Sequence, residues 1–424
     1  MKEIAARRLP TNRRGRLVRA AMLMVLVLLA LSFVRLVTHA SDLTSSGTFS
    51  ATLRVSIPIL LAALGGLYAE RAGVVNIGLE GMMILGTWFG AWAGWHWGPW
   101  TGVLVGVMGG AAGGLLHAVA TVTFGIDHIV SGVAINILAA GATRFLSVVA
   151  YTNVSGAGIT QSPHVNGTIG ELTLPVLAGG RFFGLKTPDF LGWLERQHWF
   201  FVSDLGALGK GLTAQVSLLT LLAVALIPLT YWLLWRTPFG LRLRSVGEHP
   251  MAAESLGVPV YTMKYIAVTI SGALAGLGGV FLVLEEAGIY REGQVGGRGF
   301  IGLAALIFGN WRPGGVVVGA GLFGYSDALQ LRSNTSIHGL LLFIAIAAAA
   351  VGLWFLIRSR VTTGVAAVVV ASLVFWWFAG TKAVPDEFIS ITPYVVTLLV
   401  LAVAAQRLRP PAADGRPYRK GQAQ

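Results

Sequence analysis

The chain has 424 residues, 55% hydrophobic and only 12% charged, with a mean hydropathy of +0.72 and a formal net charge of +13. Soluble domains carry about 25% charged residues, so the composition points to one integral membrane bundle rather than several soluble domains. Cysteine is absent, which excludes disulfide frameworks, thiolate zinc sites and cysteine nucleophiles.

The positive charge is not spread evenly. Residues 1–20 hold seven Lys/Arg against Glu3, and residues 405–424 hold five against Asp414. Between them, residues 236–264 hold Arg236, Arg242, Arg244 and Lys264 against Glu248 and Glu254, whereas 151–212 holds four charges of each sign. Under the positive-inside rule both tails and the 236–264 loop are cytoplasmic, and 151–212 is external. No basic patch with interleaved aromatics is present, so nucleic acid is not an expected partner.

A membrane span needs about 20 apolar residues. Spans are expected near 18–38, 53–69, 73–97, 100–123, 129–150 and 214–235, then 264–287, 299–310, 313–331, 338–357, 361–380 and 390–406. That gives an all-α polytopic bundle of roughly 10–12 spans with short or broken central helices. The first stretch has the basic start of a signal peptide, but no small-residue cleavage motif stands out near 38–46, so it reads as a retained helix. Segment 299–310 is too short to cross alone and reads as a half-helix or re-entrant piece, tolerated only inside protein. Gly86, Gly90 and Gly94, then Gly102, Gly106, Gly110 and Gly114, recur every four residues. Gly272 with Gly276 and Gly315 with Gly319 repeat the spacing, which brings helix backbones together in lipid. Trp92, Trp95, Trp97 and Trp100 cluster at the turn between two spans, as an interfacial belt does.

Residues 65–86, GGLYAERAGVVNIGLEGMMILG, set Asn76 and Glu80 in an apolar stretch punctuated by Gly73, Gly78, Gly81 and Gly86. A carboxylate there costs about 2.5–3.5 kcal/mol on the lenient insertion scale, so it faces protein or water. Four residues apart, Asn76 and Glu80 would share a helix face. Pro58 and the surrounding glycines would loosen regular helix, a common way to build a transport site near the midplane. Two readings of Glu80 stay open: it lines a pathway, or it is a structural cap or pairs with Arg71 or Arg144. Asp127 is expected to cap the helix that follows it, and the amide of Asn136, inside that span, needs a partner. Glu285, Glu286, Arg291 and Glu292 read as a solvated rim, and Asp327 either lines the path or reaches the outer interface.

In the loop TPFGLRLRSVGEHPMAAESLG (237–257), Pro250 suits the first turn of a short helix with Glu248 or His249 near its N-cap. Met251 to Leu256 tolerate helix, and Gly257 suits the stop. This is either an ordinary connector or a docking knob for a cytoplasmic partner. No phosphate cradle, H-E-x-x-H, Ser/His/Asp elbow or His metal spacing occurs. The chain therefore reads as no enzyme and as binding no cofactor, and active transport would draw its energy from a partner chain or an ion gradient.

ERAGVVNIGLEGMMILG (70–86) together with FGLRLRSVGEHPMAAESLGV (239–258) resembles the permease subunits of bacterial ABC importers for ribose-type sugars, branched-chain amino acids and nucleosides. The NIGLEGMM wording and RLRPPAADGRPYRK (407–420) are most similar to the nucleoside branch that depends on basic membrane lipoproteins. SGALAGLGGVFLVLE (271–285) and GRGFIGLAALIFGNWRPGG (297–315) match the family's second half. The resemblance implies a multi-pass bacterial plasma-membrane permease. It places Asn76, Gly78, Glu80, Gly81, Asn136 and, in the counterpart segment 297–310, Arg298 near the translocation path. It makes 249–257 the helix that docks on an ATPase, with Arg242, Gly247, Glu248, His249, Pro250, Ala252, Ala253 and Gly257 as coupling residues. The implied partners are an ATP-binding subunit holding Mg-ATP, a related second permease in a heterodimer, an external substrate-binding lipoprotein, membrane lipid and a small solute. The expected division is a basic tail and extra helix (1–48), a permease core (49–335), an inserted hairpin (336–388) and a closing helix with a basic tail (389–424). Within the long external segment, 189–201 reads as an amphipathic surface helix. A sugar or branched-chain amino acid permease is the nearest alternative. An ion-coupled carrier or channel is disfavoured by the coupling-like helix and by the lack of paired intramembrane acids.

Overall fold

The structure is a computed structural model of the chain and describes residues 13–182, 185–330, 332, 334–381, 384–385 and 408–421. In chain order the helices are α1 (Arg13–Thr38), α2 (Ser46–Arg71), α3 (Leu79–Trp97), α4 (Pro99–Ala118) and α5 (His128–Tyr151). Then come α6 (Phe190–Arg196), α7 (Val202–Thr213), α8 (Leu218–Arg236), α9 (Pro238–Glu248), α10 (Pro250–Ser255) and α11 (Val260–Phe281). The last four are α12 (Arg298–Phe308), α13 (Pro313–Gln330), α14 (Asn334–Ile357) and α15 (Val361–Gly380). Strands among the described residues are two residues long: Glu171–Leu172 pairs antiparallel with Val216–Ser217, and Arg181–Phe182 with Leu185–Lys186. Each span expected before residue 381 contains a helix, and α12 is short as expected. The closing helix expected at 390–406, and residues 1–12 of the basic N-terminal tail, lie outside the described residues.

Eight of these helices are long and apolar enough to cross a membrane: α1, α2, α4 with its π-helical extension to Thr123, α5, α8, α11 with its extension to Ala287, α14 and α15. The outward faces of α1, α5 and α15 are apolar and open, as Met24, Ile137, Val149 and Trp376 show. Such faces are stable in hydrocarbon, where helices also satisfy every backbone hydrogen bond internally. The protein is a polytopic helical membrane protein.

The described chain forms two compact units. The first draws on residues up to 50, 174–214 and 329–390. Its α1 is tied to α7 by Arg35, whose guanidinium lies 3.0 Å from the buried carboxylate of Asp204; Thr44 donates to the same carboxylate. The segment expected as an amphipathic helix over 189–201 is helical only at 190–196. Asp189 caps it by accepting from Gly192 N at 2.7 Å and pairs with Lys210 of α7 at 2.9 Å. α14 and α15 form an antiparallel hairpin in which His338 Nε2 meets Phe378 O at 3.0 Å.

The second unit, residues 51–173, 215–328 and 391–424, holds the main core. Three of its helices meet backbone to backbone along the glycine repeats. A Cβ added to Gly110 of α4 would lie 2.4 Å from Gly272 O of α11; one on Gly86 of α3 would lie 2.2 Å from Gly276 O. Gly102 and Gly106 face α3 in the same way, and Gly315 faces Gly309 O at 2.2 Å where α12 turns into α13. The spacing read from the sequence is thus the contact seen. Trp88 and Trp92 stack with centroids 6.2 Å apart and pack with Tyr151, while Trp97 and Trp100 stay exposed. Pro58 does not interrupt α2, which runs unbroken to Arg71. The break falls after it, at residues 72–78.

Candidate functional site

α2 ends on Gly73, whose φ of +78° favours glycine; Val74 N returns to Ala69 O at 3.0 Å. The chain then runs without regular helix to residue 78, held by two histidines. His117 Nε2 lies 3.1 Å from Val75 O, and His128 Nδ1 accepts from Val75 N at 3.2 Å. Because Val75 O only accepts, His117 carries its proton on Nε2, and its Nδ1 accepts from Ser131 Oγ at 2.8 Å. Helix resumes at Leu79. Asn76 therefore sits before the helix and does not share a face with Glu80, which corrects the expectation drawn from their spacing. It is fully buried, donating to Ser271 Oγ of α11 at 2.8 Å and accepting from Gly78 N at 3.1 Å.

The first turn of α3 is held by α5. Asn136 accepts from Gly81 N at 2.7 Å and donates to Ile77 O at 3.1 Å, so its amide is satisfied on both sides. The approach needs Gly81, since a Cβ there would lie 2.7 Å from Ile135 O. Asp127 caps α5 as expected, accepting from Ile129 N and Val130 N.

Glu80, on the same turn of α3, caps a different helix. Its two carboxylate oxygens accept from Gly297 N at 2.9 Å and Gly299 N at 2.8 Å, the first amides of α12. A carboxylate at a helix N-terminus satisfies orphan donors and opposes the positive end of the dipole. The pairing with Arg71 or Arg144 does not occur: Arg71 reaches Trp311 O at 2.7 Å, and Arg144 lies 3.5 Å from Glu292. The capping contact of the second reading is thus present, with Gly297 and Gly299 as its donors. Arg298, the first residue of α12, lies 3.6 Å from Asp327 of α13 and donates to Gln294 O and Val295 O. Asn76, Gly78, Glu80, Gly81, Asn136 and Arg298 thus converge on one junction, where the interrupted α2–α3 meets the start of α12. Ser271, His117, His128, Gly297 and Gly299 belong to it as well. Of these, only Gly297 and Gly299 had a sequence signal, the glycines flanking Arg298.

The 236–264 loop holds two helices where one was expected. α9 begins with Thr237, whose Oγ1 accepts from Gly240 N, and Pro238 at its first position. α10 begins at Pro250 after His249, and Gly257 closes it at φ +79° with Val258 N returning to Ala253 O. Glu248 ends α9 and turns away from α10, accepting from Ala412 N at 3.2 Å and facing Arg71 at 3.8 Å. Arg242, Ala252 and Leu256 point outward, Leu256 at 85% exposure, while Ala253 is buried. Leu256 is an open apolar residue at a helix tip that the sequence reading did not single out.

Beneath the loop the C-terminal segment 408–421 is stitched in. Ala413 N donates to Gly247 O at 2.9 Å, and Gly247 packs so closely on the end of α2 that a Cβ would lie 2.2 Å from Arg71 O. Asp414 lies beside Glu70, and burial pushes its carboxyl up to about 7. Glu70 accepts from Trp311 Nε1. The buried Lys264 ammonium donates to Gly73 O at 3.4 Å and lies 6.0 Å from the Tyr418 ring. The 236–264 loop, the end of α2 and the break at 72–78 are therefore in direct contact.

Residues 48–344 match the family model described as "Branched-chain amino acid transport system / permease component". The chain is 35% identical over 378 residues to the guanosine ABC transporter permease protein NupQ of Bacillus subtilis, covering 88% of this chain and 96% of that one. It is 32% identical over 377 residues to the nucleoside ABC transporter permease protein NupC of Lactococcus lactis, covering 86% and 94%. It is 33% identical over 304 residues to the putative glucose ABC transporter permease protein TsgC13 of Haloferax volcanii, covering 69% and 79%. No solved structure matches. A match over most of the chain, on a helical bundle whose spans the sequence already marked, identifies the chain as a member of the branched-chain amino acid transport system permease family, a multi-pass membrane permease of the ABC type.

Proposed function

We propose that the chain is the permease subunit of an ATP-driven importer of nucleosides. The observation that carries this is the near full-length similarity to guanosine and nucleoside permeases from two organisms. In this reading both termini and α9–α10 face the cytoplasm of a bacterial cell, as the charge placement favours. α10 docks on a separate ATPase that holds Mg-ATP, this chain binding no cofactor itself. Arg242, Gly247, Glu248, His249, Pro250, Ala252, Ala253 and Gly257 shape or hold that docking element. A related second permease completes a heterodimeric pore, and an external lipoprotein delivers the solute. The core is 49–335, preceded in sequence by 1–48 and followed by the hairpin at 336–388 and the closing segment 389–424.

The junction of Asn76, Gly78, Glu80, Gly81, Asn136 and Arg298 borders the path. A shift of α9–α10 bears on Arg71 through Gly247 and passes through 72–78 to the first turn of α3. Glu80 then hands it to α12. That contact route supports alternating access driven from the cytoplasmic side. The similarity to a putative glucose permease supports sugar transport as the second reading.

The test is uptake of labelled guanosine, glucose and leucine into proteoliposomes holding this chain with its co-purifying partners, binding protein outside and ATP inside. ATP-dependent guanosine uptake that vanishes without the ATPase is the expected result. Glucose uptake in its place keeps the importer and changes the solute. Transport by this chain alone without ATP overturns the reading.

A further inference from the structure

The second unit has a polar cleft of about 300 Å³ lined by Arg71, Glu248, Asn310, Arg312, Arg409 and Pro410. Three guanidiniums line it against one carboxylate, and that carboxylate is engaged by Ala412 N and Arg71. Arg71 is held in place: Nε and Nη2 donate to Trp311 O, and its guanidinium stands 5.6 Å from the centre of the Trp235 ring. Arg312 and Arg409 are exposed, and neither guanidinium has a hydrogen-bond or ion-pair partner among the described residues. Arg244 and Arg312 lie close enough to Arg71 to repel its charge. The loop that presents Arg312 holds two consecutive non-glycine residues, Asn310 and Trp311, at φ +52°. Asn310 Oδ1 accepts from Arg409 N at 2.9 Å, and Trp311 Nε1 donates to Glu70. Such left-handed pairs persist only where their surroundings over-determine them. The same contacts that hold the loop also set Arg312 and Arg409 around one opening.

From this geometry we propose that the cleft binds a phosphate group. Arginine forks match phosphate oxygens, and several converging forks suit a tetrahedral, multiply charged anion better than a single carboxylate, which one fork satisfies. The cleft lies at the end of α2, a membrane-crossing helix, the depth at which phospholipid headgroups sit. A phosphodiester headgroup or free phosphate would neutralise the three arginines and join three parts of the chain: the end of α2, the loop before α13 and the C-terminal segment. Glu248, at the end of α9, lines the same cleft, so occupancy bears directly on the coupling loop. The site is independent of which solute the permease carries.

The test uses the purified full chain in phosphate-free alkyl maltoside micelles, titrated with phosphatidylglycerol and read by native mass spectrometry. Wild type, R312Q/R409Q and R312K/R409K are compared; both positions are exposed, so the substitutions leave the fold intact. Wild type is expected to hold one phosphatidylglycerol roughly tenfold or more tightly than R312Q/R409Q, with the lysine variant in between. Displacement of the lipid by inorganic phosphate marks free phosphate as a competent ligand; retention marks the lipid headgroup. Equal affinity in wild type and R312Q/R409Q overturns the proposal. So does a cleft indifferent to both probes that cross-links through Arg312 to an acidic residue of the ATPase.

Discussion

Replacing Glu80 with alanine removes both acceptors that close the first turn of α12, those for Gly297 N at 2.9 Å and Gly299 N at 2.8 Å. Loss of a helix cap costs about 0.5–2 kcal/mol, and a buried donor left unsatisfied costs about 1–3 kcal/mol. Two donors at a site where Glu80 is only 9% exposed put E80A at about 2–4 kcal/mol. That raises local opening of the turn roughly 30- to 700-fold. The readout is hydrogen-exchange mass spectrometry on peptides covering 295–303, with a peptide from α13 as the unchanged control. E80Q keeps one acceptor oxygen and should fall between E80A and wild type. Exchange in E80A within about twofold of wild type would refute the capping role, and any transport defect would then have to come from solute contact.

A Cβ on Gly110 would meet Gly272 O at 2.4 Å, so G110A should destabilise the bundle by about 1–3 kcal/mol, read by thermal unfolding in detergent. G141A, in open space on α5, should be neutral or stabilising by up to about 1 kcal/mol. L256D removes the exposed apolar tip of α10 and should weaken ATPase co-purification roughly 10- to 100-fold, the worth of one buried leucine, while leaving the unfolding temperature unchanged. Asp414 has a raised folded-state value of about 7 against an ordinary 3.8, and burial is the main cause. Its contribution to docking of the C-terminal segment is therefore fully present below about pH 4 and lost as pH rises through about 7. Exchange protection of 408–416 should fall across that window, and D414N should flatten the dependence.

The glycine repeats were legible because a close helix crossing leaves a strict four-residue spacing behind. The capping role of Asp127 was legible because the cap and its donors are adjacent in sequence. The partner of Glu80 was not: it lies 217 residues away and consists of two backbone N–H groups, which leave no side-chain signature. The supposed shared face of Asn76 and Glu80 failed for a related reason. The helix begins only at Leu79, and His117, His128 and Asn136, all from distant segments, bond to the non-helical backbone before it. α9 was overlooked because Gly240 and Gly247 interrupt its apolar pattern. Both are close-packing points: a Cβ on Gly240 would lie 2.2 Å from Leu233 O, and Gly247 abuts Arg71. The C-terminal segment read as a basic tail, and its buried Pro411 and Ala413, with Ala413 bonded to Gly247, left no mark that the sequence reading used.

The contact among α3, α4 and α11 constrains how the molecule can move. At Gly86, Gly110, Gly272 and Gly276 backbone lies against backbone, so a slide of one helix past another would need the helices to separate first. A slip of one residue would drive Ala111 or Ala275 into a gap sized for glycine. These three helices therefore travel as one solid piece. Residues 72–78 and 288–297, two stretches that lack a ladder of regular hydrogen bonds, flank the Glu80 carboxylate. Glu80 thus ties the one stretch to the other.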